Sequence, residues 1–449
     1  MQITKKIQDF GGIPSAVDNS KAFASAKEFF EKNNGGTLVV GKGLWYTGPV
    51  ELCSHMTLEL EDGAVISFIP EPSLYRPVKT RWEGVTSWAM HPCVFAAGAD
   101  HVKVCGKGVF DGSGQKWWQR VPEKKQQKGP LEPIEKELAS LNPGYEKQPG
   151  GGGGRSSQFL RPPLMQFYEC TDVDVSGITL QNSPFWTFHP VFCSRLNVRD
   201  ITVCNPHDAP NTDGMDIDSC TDVVIEKCRI SVGDDGIAIK SGSGEDGIRI
   251  NRPSRNITVT GCTVADGHGG VVIGSETAAG IDTVKVHDCR FEGTDRGIRI
   301  KTRRGRGGAI KDLYFDDIVM TRNLCPIAIN MYYRCGTAGC EQNLFSLEPQ
   351  PVRKDTPSIS TIHITNVRAE KCRASAGFIA ALPESKLTGL VIQSSTFTTD
   401  ESDASDPSLS EMYAGIPDVK VKSFRIINAD NPVFDKVQIK GPKEPFLFK

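Results

Sequence analysis

Alternating apolar pairs recur along the middle of this chain, at Val173/Val175, Leu196/Val198, Val223/Ile225, Ile257/Val259, Val284/Val286, Leu313/Phe315, Ile362/Ile364 and Leu390/Ile392. Their first members lie 23, 27, 34, 27, 29, 49 and 28 residues apart, and a second pair follows five and seven residues after each, Ser395 being its one polar member. Period-two alternation in short β-rich runs specifies strands, because successive side chains leave opposite faces. Recurrence at this interval specifies a solenoid with one rung per repeat. A rung cannot bury its inner face alone, so many must stack.

The same phase aligns another strand in each rung: Gly214-Met-Asp-Ile-Asp218, Gly236-Ile-Ala-Ile-Lys240, Gly270-Val-Val-Ile-Gly274, Gly297-Ile-Arg-Ile-Lys301 and Pro326-Ile-Ala-Ile-Asn330. Apolar residues one and three places after the Gly or Pro point inward. Asp216, Asp218, Lys240, Arg299, Lys301 and Asn330 are therefore expected on one outer face. Singly, each reads as an ordinary solvated residue. With Asp213, Asp234, Asp235 and His268 at the strand starts, they form a patch of acids, cations and a histidine.

A compact domain stops growing near about 250–300 residues, whereas a solenoid lengthens by adding rungs, so all 449 residues are expected to form one domain. Its parts are an N-terminal cap region (1–50), an inserted loop (115–160) and a smaller one (334–356). Asp18-Asn-Ser20 starts a short capping helix carrying Phe23, Ala26, Phe29 and Phe30, which Asn33-Asn-Gly-Gly36 ends. The first insertion holds Lys116-Trp-Trp118, a Lys/Glu-rich stretch and glycines at 150–154, and is too short for a core of its own.

A net charge of −2 gives no overall attraction to nucleic acid or membrane, so affinity for an anion must be local. The N-terminus lacks an apolar signal region, which reads as cytoplasmic, with secretion or a periplasmic location the alternative if a signal was removed. Of 14 cysteines, Cys170, Cys193 and Cys220 precede successive rung starts by three places, and Cys228, Cys262 and Cys289 share an inward position. Such ladders read as free thiols filling a narrow core. Cys335 and Cys340 are candidates for a loop pair and a weak zinc signal. No metal and no cofactor is expected, and activity should survive a chelator.

Asn211-Thr-Asp-Gly214, Gly233-Asp-Asp-Gly236, Gly267-His-Gly269 and Arg299-Ile-Lys301, in that order, resemble the signatures of the polygalacturonases, glycoside hydrolase family 28. The likeness runs from about Asp9 through the last rungs. It implies an all-β, single-stranded right-handed parallel β-helix that hydrolyses the α-1,4 bonds of polygalacturonate or oligogalacturonides with inversion. Asp234 then corresponds to the general acid, Asp213 and Asp235 to the groups that hold and deprotonate water, His268 to a residue tuning the acid, and Arg299 with Lys301 to the grip on the galacturonate carboxylate.

The residues argue in the same direction. Rungs about 4.7–4.9 Å apart let acids with an offset along the turn reach the roughly 6.5–9.5 Å gap that admits a water. Crowded carboxylates keep one proton among them. An arginine binds a carboxylate through two parallel hydrogen bonds, which selects a uronic acid over a neutral sugar. Asn211, His189, Trp186, Lys240 and Glu276 are further candidates for substrate binding, Trp186 reading equally well as a packing residue. Aligning Cys193 with Cys220 sets Trp186 beside Asp213 and His189 beside Asp216.

The 115–160 insertion, the Trp186-to-Pro190 segment and Gly274-Ser-Glu276 resemble the bacterial exo-acting members, in which added loops close one end of the groove. Exo action is therefore expected. The alternatives are an endo-polygalacturonase, a rhamnogalacturonan or xylogalacturonan hydrolase, a pectate lyase, or a non-catalytic carbohydrate-binding β-helix.

Overall fold

The computed structural model describes residues 3–125, 131–148, 158–334 and 342–449. The chain divides into two compact units, Met1–Trp82 with Thr86–Asp234, and Glu83–Val85 with Asp235–Lys449. Each is parallel β-helix. Cys335, Cys340 and glycines 150–154 lie outside the described residues.

In the first unit Val173 pairs with Leu196 and Leu196 with Val223, all in parallel. In the second, Ile257, Val284, Leu313, Ile362 and Leu390 pair in succession. These are the apolar pairs whose spacing defines the repeat, and their side chains are buried. Their bends have a local cause. Asp172, Arg195 and Asp222 each take a positive φ one place before the rung's first apolar residue, and Asn256, Thr283, Asp312 and Thr361 do the same in the second unit. Asp and Asn tolerate this left-handed geometry best among residues with a side chain, which explains their frequency at the corners.

The other strands hold the expected register. Phe188–Val191 runs beside Met215–Asp218, with Phe188 opposite Met215, so Trp186 and His189 fall opposite Asp213 and Asp216. In the second unit Ile237, Val271, Ile298 and Ile327 align across Asp235–Lys240, Gly269–Gly274, Arg296–Lys301 and Cys325–Asn330.

The cysteine ladder is present, with the Cys170 amide 3.4 Å from Cys193 Sγ and the Cys193 amide 3.4 Å from Cys220 Sγ. All described cysteines are free thiols. A helix over Ser20–Lys32 starts where Asp18 Oδ1 accepts the Ser20 amide, and it buries Ala22, Phe23, Ala26 and Phe30. Among the described residues no helix is long and apolar enough to cross a membrane.

The first insertion departs from the expected loop. Its described part holds helices at Gln115–Trp118, Val121–Lys125 and Pro133–Leu141. Trp117 is fully buried with its ring edge-on to Tyr75 at 5.3 Å, and Ile134 and Leu138 are buried too. The Lys/Glu-rich composition hides these apolar anchors: one tryptophan and one turn of helix suffice to dock the segment.

Candidate active site

Two glycines explain the shape of Gly233-Asp-Asp-Gly236. A Cβ on Gly233 would fall 2.4 Å from the Ala209 carbonyl oxygen, and one on Gly236 would fall 2.6 Å from Val264 Cγ1. Neither position has room for a side chain, so the two acids lie between tightly packed glycines.

In the first unit, Asp213 and Asp234 bring carboxylate oxygens within 4.8 Å of each other. Asp213 is buried and Asp234 is half-buried. The two acids are close enough to share a cation. Asn211, at φ 57°, accepts Arg161 Nη2 at 2.9 Å through Oδ1, while Arg161 Nη1 donates to the carbonyls of Pro184 and Pro210 at 2.6 and 3.0 Å. Arg161 thus pins the turn that carries Asp213. No spacing pattern in the sequence points to it.

The outer-face residues are not solvated, which corrects the exposure inferred from alternation. Asp216 and Asp218 are each 0% exposed. Arg81, on the strand Pro77–Trp82, reaches Asp218 Oδ1 at 2.7 Å and Ser219 Oγ at 2.8 Å. His189 Nδ1 lies 2.8 Å from Gln166 Nε2, Gln166 Oε1 accepts the Thr80 hydroxyl at 2.6 Å, and His189 Nε2 lies 3.8 Å from Asp218 Oδ2. Trp186 is 4% exposed, stacked on Phe185, which stacks on Trp82, and meets the His189 ring edge-on. It occupies a packing position and offers no open face to a sugar ring. Alternation locates such side chains on the outside of a strand but says nothing of what covers them.

In the second unit Asp235 is fully buried, with its Oδ1 accepting Arg299 Nη1 at 2.9 Å and its Oδ2 accepting Lys301 Nζ at 2.5 Å. Burial pushes the Asp235 carboxyl up, but Lys301, Arg299 and Lys240 outweigh it and hold the group well below the usual carboxylate range. A Cβ on nearby Gly269 would fall 2.4 Å from Val272 Cγ2, so that position has no room for a side chain. The neighbouring His268 is half-buried.

The guanidinium of Arg299 also gives Nε and Nη2 to Glu411 at 3.1 and 3.0 Å and stands 5.5 Å from the Tyr333 ring. Lys240 and Arg306 hold Glu276 at 2.9 and 3.4 Å, and Arg306 donates to Ser243 Oγ at 2.5 Å. Burial raises the Glu276 carboxyl, and Lys240 and Arg306 reverse this, leaving it well below its ordinary value. Lys240 and Glu276, candidates for substrate binding, are thus partners of one another. Asn330 is buried, its amide donating to the Met412 carbonyl at 2.9 Å.

Elsewhere in the first unit, Asp100, His101 and Asp172 also bring ligand atoms within 4.8 Å. Asp172 is already gripped by Arg195 at 2.6 and 2.8 Å.

Stacked parallel rungs held with buried ion pairs define a parallel β-helix. The sequence profile of glycosyl hydrolases family 28 matches residues 149–375, and the chain belongs to that family. A probable polygalacturonase of Vitis vinifera is 32% identical over 323 residues, covering 70% of this chain and 60% of the relative. The chain spans about 60% of the length of such curated relatives.

Among solved structures, a hyperthermoactive exopolygalacturonase from Thermotoga maritima is 31% identical with a TM-score of 0.75, covering 89% of this chain and 88% of that one. A family 28 exopolygalacturonase from Yersinia enterocolitica shares the fold at 18% identity and a TM-score of 0.77, covering 100% of this chain and 77% of that one.

Proposed function

We propose that this protein is an exo-acting polygalacturonase that hydrolyses α-1,4 bonds from an end of oligogalacturonides. The observation that carries the reading is a contrast between consecutive residues: Asp234 is half-buried, while Asp235 is fully buried and held ionised by Arg299 and Lys301. Asp234 is therefore the acid of the two that a substrate can reach, and the reading gives it the proton.

In the proposed step Asp234 gives its proton to the leaving oxygen as the C1–O bond breaks. Water attacks C1 and loses a proton to the carboxylates. A carboxylate held far below its usual range is a weak proton acceptor, which assigns orientation of the water to Asp235 and acceptance of its proton to Asp213. Solvent exchange then restores Asp234 to its acid form. His268 tunes the acid, and Lys301 meets the uronate carboxylate.

Exo action is supported by the likeness to the Thermotoga maritima exopolygalacturonase over most of both chains. The helices Gln115–Trp118, Val121–Lys125 and Pro133–Leu141, with Trp117 buried, fit the same reading. The test is a time course on an oligogalacturonide labelled at its reducing end, with products sized and ultraviolet absorbance followed. Monomers or dimers released from one end are expected. Early internal fragments would make the enzyme endo-acting, and double-bond absorbance would make it a lyase.

A further inference from the structure

Outward side chains on three consecutive rungs of the first unit line up as Gln166, His189 and Asp216, and they are 0, 1 and 0% exposed. Their cover is a hairpin of two strands, Pro77–Trp82 and Val85–Met90, which joins neither long sheet of the β-helix. Thr80 gives its hydroxyl to Gln166 at 2.6 Å. Arg81 takes Asp218 and Ser219, with its guanidinium 4.2 Å from the Phe192 ring. Trp82 donates to the Arg161 carbonyl at 3.0 Å and stacks on Phe185 at 4.5 Å. Arg161 also holds Asn211, in the turn that carries Asp213, so the hairpin reaches the edge of the acid site.

A lone two-stranded hairpin is marginally stable, and its free edge carries unpaired backbone groups. The 115–160 insertion supplies partners for that edge. Asn142 follows the helix Pro133–Leu141. Its Oδ1 accepts the Trp88 amide and its Nδ2 donates to the Trp88 carbonyl, both at 2.8 Å. The side-chain amide thus pairs with Trp88 as a neighbouring strand would. Nδ2 also donates to Gln158 Oε1 at 2.9 Å.

We propose that the hairpin Pro77–Met90 is the stop that ends the groove, and that the insertion governs chain-end selectivity through it, as a buttress. This rests on the exo-acting reading above and assigns its cause. Asp213 and Asp234 stand at the starts of consecutive rungs, so a saccharide that crosses both runs along the stack. Beyond Asp213 it meets the hairpin in place of an open face at His189 and Gln166. Only a chain end fits there. Arg81 and Asn142 are positioning residues, the first fastening the hairpin to the rungs and the second bracing its edge.

The experiment sizes the products of end-labelled hexagalacturonate for wild type, for a variant with residues 79–88 replaced by a short Gly-Ser link, and for Asn142→Ala. Thermal unfolding of each is recorded alongside, and polygalacturonate viscosity is followed against reducing ends released. Wild type is expected to release terminal units almost exclusively. The shortened variant is expected to give internal fragments and an early fall in viscosity. Asn142→Ala gives up two hydrogen bonds to the hairpin and is expected to raise the ratio of internal to terminal products about tenfold.

A folded shortened variant that still cuts only at the end would overturn the inference. An unchanged product ratio in Asn142→Ala would overturn the buttress role and, where the shortened chain does not fold, the whole inference. Internal fragments from wild type would instead overturn the exo-acting reading, and a wild type that cleaves nothing would overturn the polygalacturonase reading. The inference falls with either.

Discussion

Arg81 Nη1 lies 2.7 Å from Asp218 Oδ1, and neither side chain is reached by solvent. The two residues are 137 positions apart. Removing one partner of a buried ion pair costs about 3–5 kcal/mol. Arg81→Met, of similar length, is expected to lose that much in urea unfolding of the intact protein. A loss below about 1 kcal/mol, the range of exposed pairs, would show that water replaces the guanidinium.

Asp213→Asn, Asp234→Asn and Asp235→Asn are each expected to cut the rate of reducing-end release by about 10²–10⁴-fold, the usual contribution of a positioned acid or base. Circular dichroism should be unchanged for Asp234→Asn, whose side chain is half-buried. Near-normal turnover in any of the three would reassign that residue. Saccharide binding that continues in an inactive Asp234→Asn agrees with catalysis. A wild type that binds without cleaving would make the chain a binding module.

Stability should fall on acidification, and the sign follows from the charge network. Asp235 and Glu276 are held well below their ordinary values, Asp235 by Lys301 and Arg299, Glu276 by Lys240 and Arg306, against the opposing effect of burial. In the unfolded chain they titrate near about 3.9 and 4.3. A depressed folded value means stability that is fully present above the unfolded value and lost progressively as pH falls below it. The Tm should therefore hold near neutral pH and drop below about pH 4, and Glu276→Gln should flatten the drop. A Tm independent of pH from 7 to 3 would contradict the ionised network.

Family resemblance implies inversion. Proton magnetic resonance during the first minutes of hydrolysis should reveal the β-anomer, the product of inversion at an α-linkage. Initial α-anomer would show retention and count against the resemblance.

Chelation is expected to leave turnover unchanged, since the proposed steps use carboxylates and water alone. The Asp213/Asp234 pair makes the test informative, because two acids this close also suit a divalent cation. Loss of activity in EDTA that calcium or magnesium restores would give these acids a metal to hold.

The phase of the rungs was legible in the chain. Parallel strands joined by ladder hydrogen bonds keep equivalent residues one above another, so linear spacing becomes spatial alignment: Ile237, Val271, Ile298 and Ile327 line up as their sequence offsets require. The same logic located the cysteine ladder and the outward placement of Asp218, Arg299 and Lys301. Only the tertiary structure decided what covers those outward residues. Arg81, Arg161 and Glu411 come from segments outside the repeat, where no periodicity ties sequence position to place. Their docking depends on anchors such as Trp117 and the paired carbonyls of Leu409 and Ser410. Alternation sets which way a side chain leaves its strand, and the fold of distant segments sets whether it meets water or an opposite charge.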